Sequence, residues 1–288
     1  DFTVNALYYC PISQKIVGHK DGMKHIHEKS IVSIGDPVKR FSEDPVRSLR
    51  AIRFSNKLNF KIDKDIKEAI YEKGHLLSDI SNARLFDEFC KIFLSGMAEK
   101  NFNKLSSYGL SKYLISTDSE RSEFTRNLIV ESLRNTDKRL MNDQSITPGF
   151  LIAALLWPGL IERSLSKGEI NLRKFFRSMD YVLRNQQKIT AVPRKFQSYI
   201  KDIWVLQLKL HSRIGKQPYK TLKHPRFRAA YDLLLLREKA ANEKQSLGKW
   251  WTDFQKNDEN IKKALIDDLR EKNMQESPKI FGFSEELR

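Results

Sequence analysis

Glu43-Asp44-Pro45-Val46-Arg47-Ser48-Leu49-Arg50-Ala51-Ile52-Arg53-Phe54 is the stretch that decides how this chain is read. A carboxylate ahead of proline favours a helix start: the acid accepts from first-turn amides and the proline fixes φ at the first helical position. Asp44 and Arg47 then stand one turn apart as neighbours. Together they offer acceptor oxygens and a planar donor fork, a combination able to read the edge of a nucleotide base. Arg50 and Arg53 continue at three-residue steps, so the stripe drifts by about 60° each time. They can meet phosphates or a neighbouring domain. The same residues also suit a helix cap and solvated ion pairs, so the stripe alone leaves both readings open.

Downstream the pattern is helical. Asp63 or Asp65 starts a helix running to about Lys73-Gly74. Leu85, Phe86, Phe89, Ile92 and Phe93 form one apolar face, with Arg84, Glu88 and Lys91 on the other and Gly96 as terminator. Further helices are expected at about 98–107, 120–133, 148–163, 170–190, 195–212 and 226–247, punctuated by Pro148, Pro158, Pro193, Pro218 and Pro225. From about Lys256 the chain is charged and thinly apolar, a weakly docked helix or a tail.

Upstream, residues 1–35 carry the strand patterns: apolar and aromatic Thr3–Tyr9, and an alternation over His25–Ile34 after turn signals at Gly18 and Asp21-Gly22. Residue 1 is Asp rather than Met, and Phe2–Tyr9 reads as the middle of a packed element, so the chain is expected to start inside a fold. His19, His25 and His27 have metal-like spacing but no cysteine beside them, and exposed hairpin positions explain them better.

Composition sets the partner class. The chain has 288 residues, 40% of them hydrophobic, enough for a packed core. Its 52 Lys and Arg against 36 Asp and Glu give a formal charge of +16, which makes nucleic acid the default partner. Ile203–Tyr231 contains no acidic residue and carries Lys209, Arg213, Lys216, Lys220, Lys223, Arg226 and Arg228. Such a run can follow an RNA backbone without reading sequence, with Tyr219 or Phe227 available for stacking, or as core. Two distant cysteines, Cys10 and Cys90, give no disulfide framework and fit a reducing cytoplasm. No apolar run approaches the roughly 20 residues of a membrane span.

Taken in order, Asp1-Phe2-Thr3-Val4-Asn5, Ile34-Gly35-Asp36-Pro37, Arg40-Phe41 and Glu43–Phe54 resemble the class II nucleotidyltransferases, the family of bacterial poly(A) polymerases and tRNA CCA-adding enzymes. Asp1-Phe2-Thr3 matches the end of the family's Arg-Arg-Asp-x-Thr motif, and Glu43–Arg47 its Glu-Asp-x-x-Arg element. The resemblance implies a mainly α fold: multi-helical neck, body and C-terminal domains after a small remnant of a mixed α/β nucleotidyltransferase head. Its expected divisions are a head remnant over 1–35, a nucleotide- and RNA-binding neck over 36–96, a helical body over 97–200, a basic RNA-binding region over 201–256 and a tail over 257–288.

It further implies ATP as substrate, RNA 3′ ends (mRNA and other transcripts) as partner, and two Mg²⁺ ions held by a Gly-rich head with an Asp-x-Asp pair. No metal ligand is assigned among these residues, and the lone Asp63-Lys64-Asp65 reads as helix capping. Asp1 takes the place of a catalytic head residue near the sugar of the incoming nucleotide, and Asp44, Arg47, Arg50 and Arg53 those of the nucleotide-binding residues. Ala83-Arg84-Leu85-Phe86 looks like the poly(A) polymerase form, where CCA-adding enzymes carry a Glu-Arg pair. The family hairpin's Gly-Gly…Asp-Leu is replaced here by Asp21-Gly22-Met23-Lys24-His25-Ile26. The expectation is thus a cytoplasmic, monomeric polynucleotide adenylyltransferase when complete, and inactive as this piece alone. The alternatives are a CCA-adding enzyme and a non-catalytic RNA-binding remnant.

Overall fold

The computed structural model describes residues 1–19, 21–116, 122–166, 169–242 and 247–271. They fall into two compact units. The first is Asp1–Ser116 with Leu140–Asp143 and Gln187–Ala191; the second takes in the remaining described residues.

The first unit opens with an antiparallel hairpin of β1 (Leu7–Cys10) and β2 (Lys15–Gly18), Leu7 facing Gly18 and Cys10 facing Lys15. Tyr8, Tyr9, Ile16 and Val17 on these strands are all exposed. The short helix α1 (Gly22–His27) follows, then β3 (Ser30–Ile31). The strand expected over His25–Ile34 therefore survives only at its centre. A six-residue segment cannot separate the two periodicities, and Thr3 Oγ1 hydrogen-bonds His25 Nδ1 at 2.9 Å, fixing the helical turn against the chain start. Thr3–Asn5, expected extended, is a 3-10 turn.

Helix α2 (Pro37–Glu43) is capped by Asp36, whose carboxylate accepts from Val38 N at 2.9 Å. Helical structure thus begins before Asp44. α3 (Val46–Leu58) follows at once; Asp44 Oδ1 accepts from Val46 N at 3.3 Å, and Pro45 precedes the first helical residue. Val46, Leu49, Ala51 and Ile52 of α3 are buried. Asn59 ends it in the left-handed region, φ 55°, a conformation asparagine tolerates well. The chain then turns into β4 (Lys61–Ile62), parallel to β3. Asp63 caps α4 (Lys64–Lys73), accepting from Asp65 N at 3.1 Å, so the lone Asp-x-Asp is a cap.

Ser81 caps α5 (Asn82–Phe93), which buries Leu85, Phe86, Phe89, Ile92 and Phe93. Glu88, expected on the outer face, is buried as well: 3% exposed, with Lys91 Nζ reaching its Oε1 at 2.8 Å. α6 (Ala98–Ser107) joins α5 through Asn101, whose amide donates to Ile92 O at 2.7 Å.

α7 (Glu123–Met141) runs eight residues past the expected end, and its residues up to Arg139 belong to the second unit. α8 (Pro148–Ser164) is capped by Thr147 and apolar on every side, so it is central. Pro158 lies inside it rather than ending it. Between α8 and α9 (Leu172–Gln187), β5 (Leu165–Ser166) pairs with β6 (Glu169–Ile170).

α10 (Arg194–Lys209) packs on α8, with Trp204 Nε1 donating to Ala153 O at 2.9 Å. α11 (Gln217–Leu222), unforeseen in the sequence, leads into α12 (Phe227–Ala240). α13 (Leu247–Lys256) is separate from α12, and Trp251 Nε1 donates to Leu210 O at 2.9 Å. α14 (Glu259–Glu271) docks Ile266 and Leu269 on the cluster built from Leu206, Phe227, Trp250, Trp251 and Phe254. The rest of the expected tail, 272–288, lies outside the described residues.

Candidate nucleotide and RNA sites

Backbone pairing puts Asp1 on α3. Thr3 N donates to Val32 O at 3.0 Å, Ile34 N donates to Asp1 O at 3.1 Å, and Phe2 bridges Ser33. Phe2, fully buried, meets the ring of Phe54 edge-on at 6.1 Å. The chain start is thereby held over the arginine stripe. Asp1 Oδ1 lies 3.2 Å from Arg47 Nη1, and Oδ2 pairs with Arg50 Nη2. The carboxylate and both guanidiniums are mostly withdrawn from water, so the pairs are less screened than surface ones.

Asp44 stands beside this cluster. Its Oδ2 accepts from Arg84 Nη2 at 2.8 Å and lies 4.0 Å from Arg47 Nε. The expected Asp44–Arg47 neighbourhood exists, but each residue has a nearer partner: Arg84 for Asp44, Asp1 for Arg47. Arg53 sits apart, its guanidinium 4.5 Å from the centre of the Phe54 ring; Arg50 lies 5.5 Å from the same ring. Burial lowers the Arg53 pKa, while Glu88 opposes the shift and Arg50 adds to it. The Nε groups of Arg47, Arg50 and Arg53 are buried and hydrogen-bond to none of the described residues. Buried donors of this kind normally have partners, so the stripe has hydrogen-bonding capacity beyond its own ion pairs.

Two residues of this cluster went unassigned as site residues. Arg84 follows the Ser81 cap by one turn, its N donating to Ser81 Oγ at 3.4 Å, and only the fold reveals its reach to Asp44, forty residues back. Glu88 carries no sequence signal, since a lone acid among apolar residues looks like the start of the polar face. As for metal, no group of three His, Cys, Asp or Glu among the described residues is arranged to hold one. Asp1 is committed to two arginines and Asp63 to a cap, so these side chains do not fit the family's Mg²⁺ pair.

In the second unit the basic run divides. Lys216, Lys220 and Lys223 line a groove of about 580 Å³ together with Lys263 and Arg270 of α14; Glu259 and Asp267 line it too. Arg226 and Arg228 line a different cavity, of about 190 Å³. Lys209 is exposed at the last turn of α10 and lines neither. Arg213 is 7% exposed with its guanidinium 5.5 Å from the Trp250 ring, and so is withdrawn from the surface where the sequence suggested it. The two aromatics offered for stacking part ways: Phe227 is buried in the core, whereas Tyr219 is half-buried, edge-on to Phe254 at 5.3 Å, and lines the lysine groove.

Two family models match. Residues 59–117 match "Probable RNA and SrmB- binding site of polymerase A", and residues 167–280 match "Polymerase A arginine-rich C-terminus". Poly(A) polymerase I of Haemophilus influenzae (strain ATCC 51907 / DSM 11121 / KW20 / Rd) is 39% identical over 277 residues, 92% of this chain and 61% of that protein. Over most of its length the chain is similar to bacterial poly(A) polymerases. It is less similar to CCA-adding enzymes: that of Lactococcus lactis subsp. lactis (strain IL1403) is 28% identical over 240 residues, 83% of this chain and 54% of that protein. A solved structure described as "Structure of tRNA-processing enzyme with CTP" shares the fold at a TM-score of 0.62 and 20% identity, covering 96% of this chain and 75% of its own. The chain spans about three fifths of the length of the curated poly(A) polymerases it matches. None of its described helices is long and apolar enough to cross a membrane.

Proposed function

We propose that this chain forms the neck, body and basic C-terminal region of an enzyme that adds adenosines from ATP to RNA 3′ ends without a template. The observation that carries the reading is the carboxylate–guanidinium cluster at the head of α3: Asp1 on Arg47 and Arg50, Asp44 between Arg84 and Arg47. Adenine presents an amino donor beside a ring-nitrogen acceptor. A carboxylate accepting from that amino group and a guanidinium donating to the ring nitrogen would match it; guanine and uracil, with carbonyls in the corresponding place, would face a carboxylate with no proton to share. Asp44 and Arg47 take those roles. Arg50 and Arg53 hold the nucleotide's phosphates, and Asp1 stands at its sugar while fixing the two arginines.

Mg²⁺ would supply charge neutralisation at the leaving pyrophosphate, held by carboxylates other than those described above. The lysine-lined groove follows the RNA backbone, on mRNA and other transcripts alike. The enzyme works in the cytoplasm as a monomer. The greater identity to poly(A) polymerases than to CCA-adding enzymes, together with Ala83-Arg84, supports adenosine addition over CCA addition.

The test supplies the full-length protein that carries this chain with Mg²⁺, a generic RNA and either ATP or CTP. A growing adenosine ladder with ATP alone is expected. Extension confined to tRNA lacking its CCA end, with CTP used as readily as ATP, would overturn the reading.

A further inference from the structure

The second unit contains a cavity that the nucleotide site does not use, and its chemistry is built around one acid. Asp232 of α12 is largely buried, and its two oxygens each hold a different arginine: Oδ2 takes Arg139 Nη1 and Oδ1 takes Arg228 Nε, both at 3.0 Å. One carboxylate thus draws together two guanidiniums from different helices, the mostly buried Arg139 of α7 and the exposed Arg228 of α12. Each guanidinium has five N–H donors, so a single hydrogen bond to the acid leaves most of them for another acceptor.

Arg226 lines the same cavity, lying 4.9 Å from the centre of the Tyr199 ring, which limits its wandering. Of the charged residues lining the space, three are cations and only Asp232 is an anion. The cavity measures about 190 Å³, partly open to solvent. That is below the roughly 300–1,000 Å³ of pockets that enclose whole small molecules. A compact oxyanion fits it, and a complete nucleotide does not.

We propose that Arg139, Arg226 and Arg228 form a phosphate-binding subsite, pre-set by Asp232 and separate from the nucleotide cluster on α3. A phosphate presents several acceptor oxygens to planar donors, the pairing in which arginine surpasses lysine. Because Arg139 is already held by the acid in a mostly buried position, less of its side-chain freedom is lost on binding. The same chemistry has two sources: a phosphodiester of the RNA strand, or free pyrophosphate. The first rests on the RNA-adenylating reading given above; the second does not.

The experiment uses the intact chain and an Arg226→Gln/Arg228→Gln double variant, both side chains being exposed so that the fold persists; circular dichroism melting checks it. One arm titrates a fluorescein-labelled single-stranded oligoadenylate at several salt concentrations. The other measures the shift in melting temperature with inorganic pyrophosphate. With an RNA phosphodiester in the subsite, the double variant binds RNA about three- to tenfold more weakly. Its salt slope also falls by about 0.7 for each phosphate that the variant no longer neutralises. A pyrophosphate-induced shift that vanishes in the double variant, with RNA binding unchanged, keeps the subsite and assigns it to the free anion. If wild-type and variant bind RNA alike with the same slope and pyrophosphate shifts neither, the subsite is refuted while the RNA reading stands. If the wild-type chain binds neither ligand, both fall.

Discussion

Asp44 reaches Arg84 at 2.8 Å and Arg47 only at 4.0 Å, so this acid is held from α5 more closely than from the helix it precedes. Arg84 is half exposed, and the pair therefore contributes little stability, under about 1 kcal/mol. Its consequence is directional: α5 decides where the Asp44 carboxylate points.

Removing that hold should alter nucleotide use rather than folding. In the full-length enzyme, Arg84→Ala should raise the KM for ATP about three- to tenfold, and Arg47→Ala about ten- to a hundredfold, the usual cost of losing hydrogen bonds to charged partners. The KM for RNA should hardly move in either variant. Steady-state kinetics with each substrate varied separately checks this; equal losses for both substrates would remove the pair from base reading.

Asp1→Asn should act on stability as well. The substitution leaves Arg47 and Arg50 close together without their shared counter-charge in a mostly buried setting. A loss of about 1–3 kcal/mol is expected, since stranding a withdrawn charge costs more than breaking a surface pair. Urea unfolding of the chain measures it, and an unchanged midpoint would show that the cluster does not bind the chain start to α3.

His211 makes the second unit sensitive to mild acid. Its ring nitrogens are buried without hydrogen-bond partners among the described residues, and burial, followed by the charges of Arg237 and Arg213, pulls its pKa down to about 3. The unfolded chain takes up a proton near pH 6.5 that the folded chain refuses. Stability is therefore fully present above about pH 6.5 and falls as pH drops towards 3, with a limiting slope of about 1.4 kcal/mol per pH unit from this residue. His211→Leu should flatten that part of the profile between about pH 7 and pH 5 in urea melts. Parallel profiles for variant and wild type would contradict the assignment.

For the groove on α11, Lys220→Ala with Lys223→Ala should weaken RNA binding and reduce the salt slope by about 1.4, the share of two single-strand phosphates. Fluorescence anisotropy across a salt series reads both quantities. An unaltered slope would take these lysines off the RNA path.

Much of the architecture was legible because helices announce their ends locally. Asp63 before a helical run is a cap in the sequence and in the structure, and the apolar spacing of Leu85–Phe93 marks the face that α5 buries. Where local signals were weak, the reading failed. Residues 22–27 are too few to show a period, Glu88 is buried by packing on a side the spacing does not specify, and Arg213, between α10 and α11, sits against Trp250 of α13. The site divides the same way. Asp44, Arg47 and Arg50 could be picked out from one stretch, but the grip of Asp1 on two of those arginines, and of Arg84 on Asp44, depends on residues about forty or more positions apart.

The β1–β2 hairpin has a practical side. Tyr8, Tyr9, Ile16 and Val17 leave greasy side chains on a ribbon whose outer backbone groups invite another strand, the combination that drives self-association in the test tube. A preparation of these residues by themselves will be prone to clumping as concentration rises. Ile16→Lys with Val17→Lys is the simplest remedy, because charge on an edge strand repels a second copy while leaving the arginines of α3 untouched.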